Sequence, residues 1–348
     1  MRNTSRVSVL LAGLLCASVC VCLAGPETPV AKRAPKAPLA PAPAMDAVTE
    51  GVQSTVQGLL RHGVRVDTNK ARRAAIQAVA TSVDPMSWLL TAEEATTIPE
   101  EGRAATNGVL LQSVAVIEKW PGGICYARFG GLYRGTGQET ADDILSATNG
   151  GTTGMILDLR GAEGKGLDCV EAIAGLFLED DREIFSVRNW SGTELERRRV
   201  GKARRLGIPA VFLVDEGTSA AAELLAAVVK SGIEVLLIGR TTRGDPLLRE
   251  KMALPGGEVL YVGTRRVVPL TGDAYGPGGV KPDIVVAAVG VAGVPATNAS
   301  PVAAKASGGG EQADVDKVAE RTKSDPILQR AADILMGLRT LDLRALKL

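Results

Sequence analysis

The chain has 348 residues, 45% of them hydrophobic and 23% charged, which is an ordinary balance for a globular protein with one large core and a smaller unit. Its formal net charge of +1 gives no electrostatic indication of nucleic-acid or membrane-surface binding. A single histidine, His62, excludes a His-rich zinc site. Outside the N-terminal segment only Cys125 and Cys169 remain, in apolar surroundings and without a CxxC pair. We therefore expect two buried thiols, with a disulfide in an exported protein as the alternative, and no metal site.

The N-terminus has the pattern of an export signal. Residues 1–24 carry Arg2 and Arg6, then an uncharged apolar run that ends in small residues. This pattern predicts a secretory signal peptide cleaved near Gly25, with an uncleaved anchor as the alternative. Residues 25–44 are rich in Pro and Ala and predict an extended linker. We therefore expect an exported protein of the periplasm or cell envelope, possibly secreted, with no membrane contact beyond the signal peptide.

The rest of the chain divides into four regions. Residues 45–105 show helical spacing of apolar residues, with Asp67 as a helix N-cap. In residues 106–288 apolar strand patterns alternate with helices, which is typical of an α/β domain. Residues 289–313 predict a second flexible linker, and residues 314–348 predict one or two C-terminal helices. The strands predicted in the core are 109–119, 123–129, 154–160, 211–214, 235–238 and 259–268, with a strand pair or edge in 182–191 and helices at 139–147 and 170–178.

One stretch of the core has the pattern of a strand, a sharp turn, a helix and a second strand. The apolar run 211–214 precedes Asp215-Glu216-Gly217, Thr218 or Ser219 is available as N-cap, and Gly232 ends the helix before the apolar run 235–238. This predicts a parallel βαβ crossover. Many hydrolases place a nucleophile at such a turn, where helix N–H groups face an oxyanion. Ser219 is either that nucleophile or only a helix cap.

The stretch resembles the C-terminal processing peptidases, also called tail-specific proteases. Asp215-Glu216-Gly217 and Glu223 match the family pattern around the nucleophile, and Gly244 matches the glycine before the lysine of the family's Ser–Lys dyad. In this alignment the nucleophile position is Ala220, and the position of the lysine base is Asp245. The resemblance therefore implies that both members of the dyad are substituted.

Three further segments extend the resemblance. Val83-Asp84-Pro85-Met86-Ser87 resembles the Leu-Asp-Pro-x-Ser turn of the family, residues 157–160 resemble its Leu-Asp-Leu-Arg strand, and residues 278–284 resemble the end of its protease core. The resemblance implies a crotonase-like (ClpP/crotonase) α/β fold with an N-terminal helical region and C-terminal helices. It also implies an oxyanion hole at Gly164 and Ala221, although Lys165 interrupts the family's Gly-Gly pair there.

About a dozen residues separate Ile98 from Leu110, too few for the PDZ domain that many relatives have. Crotonases proper are a competing family, but the export signal argues against an enzyme that uses coenzyme A.

Three functional hypotheses remain from the sequence. The first is a catalytically inactive homologue that binds polypeptides or protein C-termini, because an alanine and a carboxylate cannot form a Ser–Lys dyad. The second is an active serine endopeptidase that uses Ser219, with Lys251 or Lys230 as base. The third is a structural or partner-binding envelope protein. None of them calls for a cofactor, a metal or nucleic acid, and the oligomeric state stays open.

Overall fold

A computed structural model describes residues 45–97, 105–106, 109–110, 112–271, 275–287 and 320–340. The predicted signal peptide and the two predicted linkers lie outside these residues, as does most of the segment after Ile98. The chain divides into two compact units, residues 1–66 and residues 67–348. The described part of the first unit contains one helix, α1 (Met45–Arg61), whose apolar side chains such as Val52 and Leu59 are exposed.

The second unit alternates strands with helices, as the sequence predicts. Its helices are α2 (Thr68–Val83), α3 (Ala92–Thr97), α4 (Gly137–Thr148), α5 (Leu167–Ala174), α6 (Ala220–Val229) and α7 (Pro326–Thr340). Its strands are β1 (Trp88–Leu90), β2 (Ala105–Thr106), β3 (Val109–Leu110), β4 (Val114–Trp120), β5 (Ile124–Phe129), β6 (Gly154–Asp158), β7 (Glu183–Asn189), β8 (Glu194–Arg199), β9 (Ala210–Val214), β10 (Val235–Gly239), β11 (Leu247–Ala253), β12 (Val259–Pro269) and β13 (Ile284–Val285).

A six-stranded sheet forms the centre of the unit, in the order β13-β10-β9-β6-β5-β4. All neighbours in it are parallel except β4 and β5. Strand β9 is buried along its whole length because both faces of the sheet are covered. Its residues alternate accordingly, with Phe212 in the core on one face and Val211 and Leu213 in the core under α7 on the other.

A second sheet is antiparallel and has the order β1-β12-β7-β8, with β11 pairing to β12. Here β11 lies along most of β12, from Leu247 opposite Arg266 to Ala253 opposite Val259. On its other side β12 pairs first with β1 and then with β7. A third, two-stranded sheet joins β2 and β3. The mixed α/β fold with helical terminal regions confirms the predicted fold class.

The predicted βαβ crossover is confirmed, since β9 and β10 are parallel neighbours joined by α6. Asp67 is confirmed as the N-cap of α2, because its carboxylate accepts hydrogen bonds from two backbone N–H groups. The helix predicted at 170–178 is wrong in its bounds: it runs over Leu167–Ala174 and ends at Gly175, after which the chain turns toward β7. Strand 109–119 is in fact two strands, β3 and β4. Cys125 and Cys169 are free, buried thiols, as predicted.

The C-terminal helix α7 closes the outer face of the six-stranded sheet. Ile327, Ala331 and Leu335 are buried there. Leu335 approaches Gly154 of β6 so closely that there is little room for a side chain at that position. An ion pair between Arg160 and Asp325, 2.7 Å long, fixes the chain just before the helix. The helix thus completes the burial of the parallel strands.

Candidate functional site

The turn between β9 and α6 is held by one carboxylate. Asp215 Oδ1 accepts hydrogen bonds from the N–H groups of Gly217 (2.9 Å), Thr218 (3.1 Å) and, across the sheet edge, Gly161 (2.9 Å). The Thr218 hydroxyl donates to the carbonyl of Leu159 at 2.9 Å. The Asp-Glu-Gly-Thr sequence therefore joins the two loops that follow β6 and β9, and places the start of α6 at the carboxyl edge of the sheet.

Helix α6 begins at Ala220 with a strained backbone. Ala220 has φ +51°, a left-handed conformation that is unfavourable for any residue with a Cβ. Ser219, the N-cap residue, has an extended backbone, is 2% exposed and makes no cap hydrogen bond through its side chain. The position predicted for the nucleophile thus lies at a sharp strand-to-helix turn, but it carries only a methyl group.

Ala220 and Asp245 line one cavity of about 10 Å³. Its other walls are mostly apolar and include Leu224, Leu247 and Val267, and Lys165 also lines it. A cavity of this size holds about one water molecule. The structure therefore brings the two sequence-predicted positions together, in a space that has no room for a peptide side chain.

The Asp245 carboxylate is engaged in a buried ion triad. Arg249 donates to both oxygens of Asp245, at 2.7 and 2.9 Å, and to both oxygens of Asp84, at 2.7 and 2.8 Å. Asp84 also accepts hydrogen bonds from the N–H groups of Met86 (3.0 Å) and Gly263 (2.9 Å). Burial acts to raise the pKa of Asp84, but the hydrogen bonds and charge of Arg249 outweigh it and hold the pKa below its usual value. Arg249 therefore links the predicted Asp-Pro turn, through Asp84, to Asp245 of the candidate site.

Glu223 anchors the loop that carries Asp245. Its carboxylate accepts hydrogen bonds from the N–H groups of Gly244 (2.6 Å) and Asp245 (2.8 Å) and from the Thr242 hydroxyl. Burial raises the pKa of Glu223, although these hydrogen bonds oppose the rise. Among the described residues the buried Tyr275 hydroxyl has no hydrogen-bond partner, and burial together with the charges of Glu223 and Asp245 raises its pKa.

The two residues predicted for an oxyanion hole meet as donor and acceptor. The N–H of Ala221 donates to the carbonyl oxygen of Gly164 at 3.1 Å, and the N–H of Ser219 donates to Ala162 at 3.0 Å. Gly164 has φ +130°, and a Cβ there would lie 2.1 Å from the carbonyl oxygen of Leu132. In this arrangement a carbonyl oxygen, rather than an oxyanion, occupies the acceptor position at the start of the helix.

Neither of the two lysines proposed as a substitute base is positioned close to Ser219. Lys230 is the C-cap of α6, about 15 Å from the start of the helix by its rise per residue, and its ammonium donates to the carbonyl of Lys281 at 2.9 Å. Lys251 is four residues along β11 from Leu247, which lines the cavity, a distance of about 13 Å. His62 is exposed and belongs to the first unit.

Sequence reasoning missed Arg249 as the partner of Asp245. The signal was present in the four-residue spacing between them, but β11 was not predicted, so nothing placed the two side chains on one surface. Within the residues that the structure describes, no group of three or more His, Cys, Asp or Glu side chains could hold a metal ion. None of the described helices is both long and apolar enough to cross a bilayer.

The core of the chain matches a known family. Residues 122–286 match the model of peptidase family S41. The carboxy-terminal processing protease CtpA of Bacillus subtilis is 30% identical over 149 residues, which cover 43% of this chain and 32% of the relative. A carboxyl-terminal-processing protease of Synechocystis sp. is 29% identical over 229 residues, which cover 65% of this chain and 52% of the relative.

A lipoprotein from Streptococcus agalactiae has a similar fold, with a TM-score of 0.51 at 14% identity over 71% of this chain and 86% of that one. The chain spans between a third and about half of the length of the two curated relatives. The fold is mixed α/β, and residues 122–286 are similar to peptidase family S41. The two curated relatives are carboxy-terminal processing proteases.

Proposed function

We propose that this chain is a catalytically inactive member of family S41 that binds polypeptides or protein C-termini without cleaving them. The observation that carries this proposal is the pairing of Ala220 with Asp245 in a cavity of about 10 Å³. Ala220 has no nucleophilic atom, and Asp245 is committed to Arg249. Acyl transfer needs an activated nucleophile, and loss of such a unit typically reduces the rate by several orders of magnitude.

A polypeptide has a strand edge available next to this cavity. Strand β11 begins at Leu247, a cavity residue, and pairs with β12 on one side only, since no described strand pairs with its other side. An extended segment can add to such an edge through main-chain hydrogen bonds. The expected affinity is weak, with a Kd of about 1 µM or higher, because no second binding module adds contacts.

Catalysis is tested by incubating the protein with casein and with peptides that end in apolar residues, alongside the Bacillus subtilis relative as a positive control. We expect no turnover and no labelling by a fluorophosphonate, which reacts only with an activated serine. Turnover or labelling that disappears in Ser219→Ala would establish the active-endopeptidase hypothesis and overturn this proposal.

Binding is tested with the same peptides by fluorescence anisotropy, using Glu250→Pro and Lys251→Pro. Backbone N–H groups of adjacent strand residues point to opposite sides, so only one of these prolines removes an N–H from the free edge. We expect one variant to lose binding with an unchanged fold and the other to lose stability. Absence of binding in the wild type at millimolar peptide would leave only a structural role.

We also propose that residues 1–24 direct export and are removed, so that the mature chain starts near Gly25. The supporting observation is the basic and then apolar pattern of this segment. N-terminal sequencing of the protein from fractionated cells tests the proposal. Full-length protein that stays with membranes after an alkaline wash would contradict it.

A further inference from the structure

Strand β8 forms an outer edge of the antiparallel sheet. It pairs with β7 on one side, and no described strand pairs with its other side. Its six residues, Glu-Leu-Glu-Arg-Arg-Arg, are all exposed or half-buried. The unpaired N–H and C=O groups of such an edge form a template for a further strand. The occupant of this edge is decided by the backbone groups that face outward and by the charges beside them.

The backbone hydrogen bonds show which residues of β8 face outward. Val200, just after the strand, donates to the carbonyl of Arg182 at 2.9 Å and accepts from the N–H of Asp181 at 3.1 Å, so its backbone groups face β7. Successive residues of a strand point their backbone groups to opposite sides. The N–H and C=O groups of Arg197 therefore point to the open side, whereas those of Arg198 point toward β7.

This alternation restricts how two copies of β8 pair. In an antiparallel pair, directly opposite residues either both turn their backbone groups toward each other or both turn them away. Arg197 therefore stands opposite the partner's Arg197, and it cannot stand opposite Glu196 or Arg198. With Arg197 on a two-fold axis, Glu196 of each copy stands opposite Arg198 of the other.

The charges of β8 fit this register on both faces of the sheet. Glu196 and Arg198 project from one face, and within the chain they form an ion pair of 2.6 Å. Two copies would join these side chains into a ring of alternating charge, at the closely spaced, non-hydrogen-bonded positions. On the other face the two copies of Arg197 would meet, which is unfavourable. Each Arg197 is neutralised by Glu183 and Glu194, at 2.7 Å from either carboxylate.

One feature of β8 limits the length of the pairing. The register with β7 shifts between Glu194 and Glu196, so Leu195 is an extra residue that bulges from the strand. Residues 196–199 remain as regular strand. An unrelated polypeptide would have to present an acidic and a basic residue at matching positions of a segment this short, whereas a second copy does so through its own sequence.

From the outward backbone and the self-complementary charges, we propose that β8 pairs antiparallel with β8 of a second copy of this chain, about a two-fold axis at Arg197. The pairing joins the two five-stranded sheets into one continuous sheet. It uses no residue of the candidate site, so it is independent of the proposed peptide binding. Four regular residues on each side bury little surface, and we expect a weak dimer with a Kd of about 10–100 µM that weakens with salt.

The experiment follows the molar mass of the full chain by sedimentation equilibrium, over a concentration range of about 5–500 µM at low and high salt. Glu196→Arg places two basic residues opposite two basic residues, and Arg198→Glu places acidic residues opposite acidic ones. Each variant alone should weaken association at least about tenfold. An equimolar mixture of the two should associate again as a heterodimer, because the opposed charges are then complementary. Both side chains are 41% exposed, so loss of their ion pair should leave the fold intact.

Two further variants separate edge pairing from a general effect of charge. Lys202→Glu makes the same charge change as Arg198→Glu at an exposed position outside β8, and should associate as the wild type does. Arg197→Pro removes the outward N–H without removing a hydrogen bond to β7, and should abolish association while urea denaturation remains unchanged.

Two results would overturn the proposal. A wild type that stays monomeric at the highest concentration would mean that the bulge and the charges keep this edge unpaired. Association that survives Glu196→Arg, Arg198→Glu and Arg197→Pro would place the interface elsewhere on the molecule. Recovery of association in the mixture of the two charge variants would support the register directly, since only opposed strands of two chains can restore it.

Discussion

The backbone N–H of Ala221 donates a hydrogen bond to the carbonyl oxygen of Gly164, with 3.1 Å between the two heavy atoms. In a working oxyanion hole, the N–H that follows the nucleophile points at the developing negative charge. Here the loop after β6 places its own carbonyl at that point. The candidate site therefore differs from the site that the resemblance predicts in three places, namely the predicted nucleophile position, the predicted base position and the predicted oxyanion donor.

Restoring the dyad alone should consequently restore little chemistry. We expect Ala220→Ser/Asp245→Lys/Arg249→Met, in which the new ammonium no longer faces Arg249, to react with a fluorophosphonate at least about 100-fold more slowly than the Bacillus subtilis relative. The reason is that loss of one oxyanion donor costs about 10²–10³ in rate. The measurement is the rate of covalent labelling, with Asp245→Lys/Arg249→Met as the control without the added serine. Labelling as fast as in the relative would contradict this expectation. It would show that the Gly164 carbonyl readily rotates and leaves the Ala221 N–H available to the oxyanion.

Gly164 should tolerate no side chain. In Gly164→Ala the new Cβ would meet the carbonyl oxygen of Leu132 at 2.1 Å, in a backbone conformation with φ +130°. We expect a loss of about 3 kcal/mol or more in the free energy of unfolding. Gly161→Ala is the matched control in the same loop, since its φ is +69° and no atom lies within 4 Å of the added Cβ. It should lose only about 1–2 kcal/mol, for the left-handed backbone alone. Urea denaturation compares the two, and equal losses would contradict the close contact.

Removing the shared cation of the ion triad should strongly destabilise the fold. Arg249→Met leaves the carboxylates of Asp84 and Asp245 without their shared cation, and their side chains are 0% and 9% exposed. Removal of one partner from a buried ion pair costs about 3–5 kcal/mol. Arg240→Met makes the same change in the pair with Glu216, whose side chain is 68% exposed, and should cost less than about 1 kcal/mol. Similar losses in the two variants would show that water still reaches the triad.

The sequence predicted much of the fold for identifiable physical reasons. Fully buried strands such as β9 and β10 appear as short apolar runs with turn residues at both ends, and the helix between them has a cap and a glycine stop. Strand β11 was not predicted, because Arg249, Glu250 and Lys251 interrupt its apolar pattern. Arg249 is tolerated there because it pairs with Asp84 and Asp245, and Glu250 because it pairs with Thr264 and Arg265.

The site positions followed from the resemblance, whereas their interactions did not. Local sequence cannot show that Asp84 and Arg249, 165 residues apart, meet at 2.7 Å, because that contact depends on how β1 and β11 flank β12. Likewise, the orientation of the Gly164 carbonyl is a property of the loop backbone. It results from the parallel bridge between Leu132 and Gly164, which no residue pattern encodes.

Stability at low pH should depend on Asp84. Its pKa in the folded protein is lower than the usual value for aspartate, which applies when the chain unfolds. A depressed carboxylate pKa contributes stability that is fully present above the unfolded value and is lost as the pH falls toward the folded value. We expect the difference in unfolding free energy between wild type and Asp84→Asn to be constant above about pH 5 and to shrink below about pH 4. A difference that stays constant down to pH 2 would contradict the depressed pKa.

The backbone strain at Ala220 gives the last prediction. Ala220 has φ +51° although it has a Cβ, and a left-handed residue of this kind costs about 1–2 kcal/mol. Ala220→Gly removes that cost. It also makes the unfolded chain more flexible, and this lowers the free energy of unfolding by about 0.5–1 kcal/mol. The net expectation is an unchanged or higher stability, by up to about 1.5 kcal/mol. Ala226→Gly, inside the same helix, has no strain to relieve and should lose about 1 kcal/mol or more. Urea denaturation of both variants measures the contrast, and a loss in Ala220→Gly as large as that in Ala226→Gly would show that Ala220 is not strained.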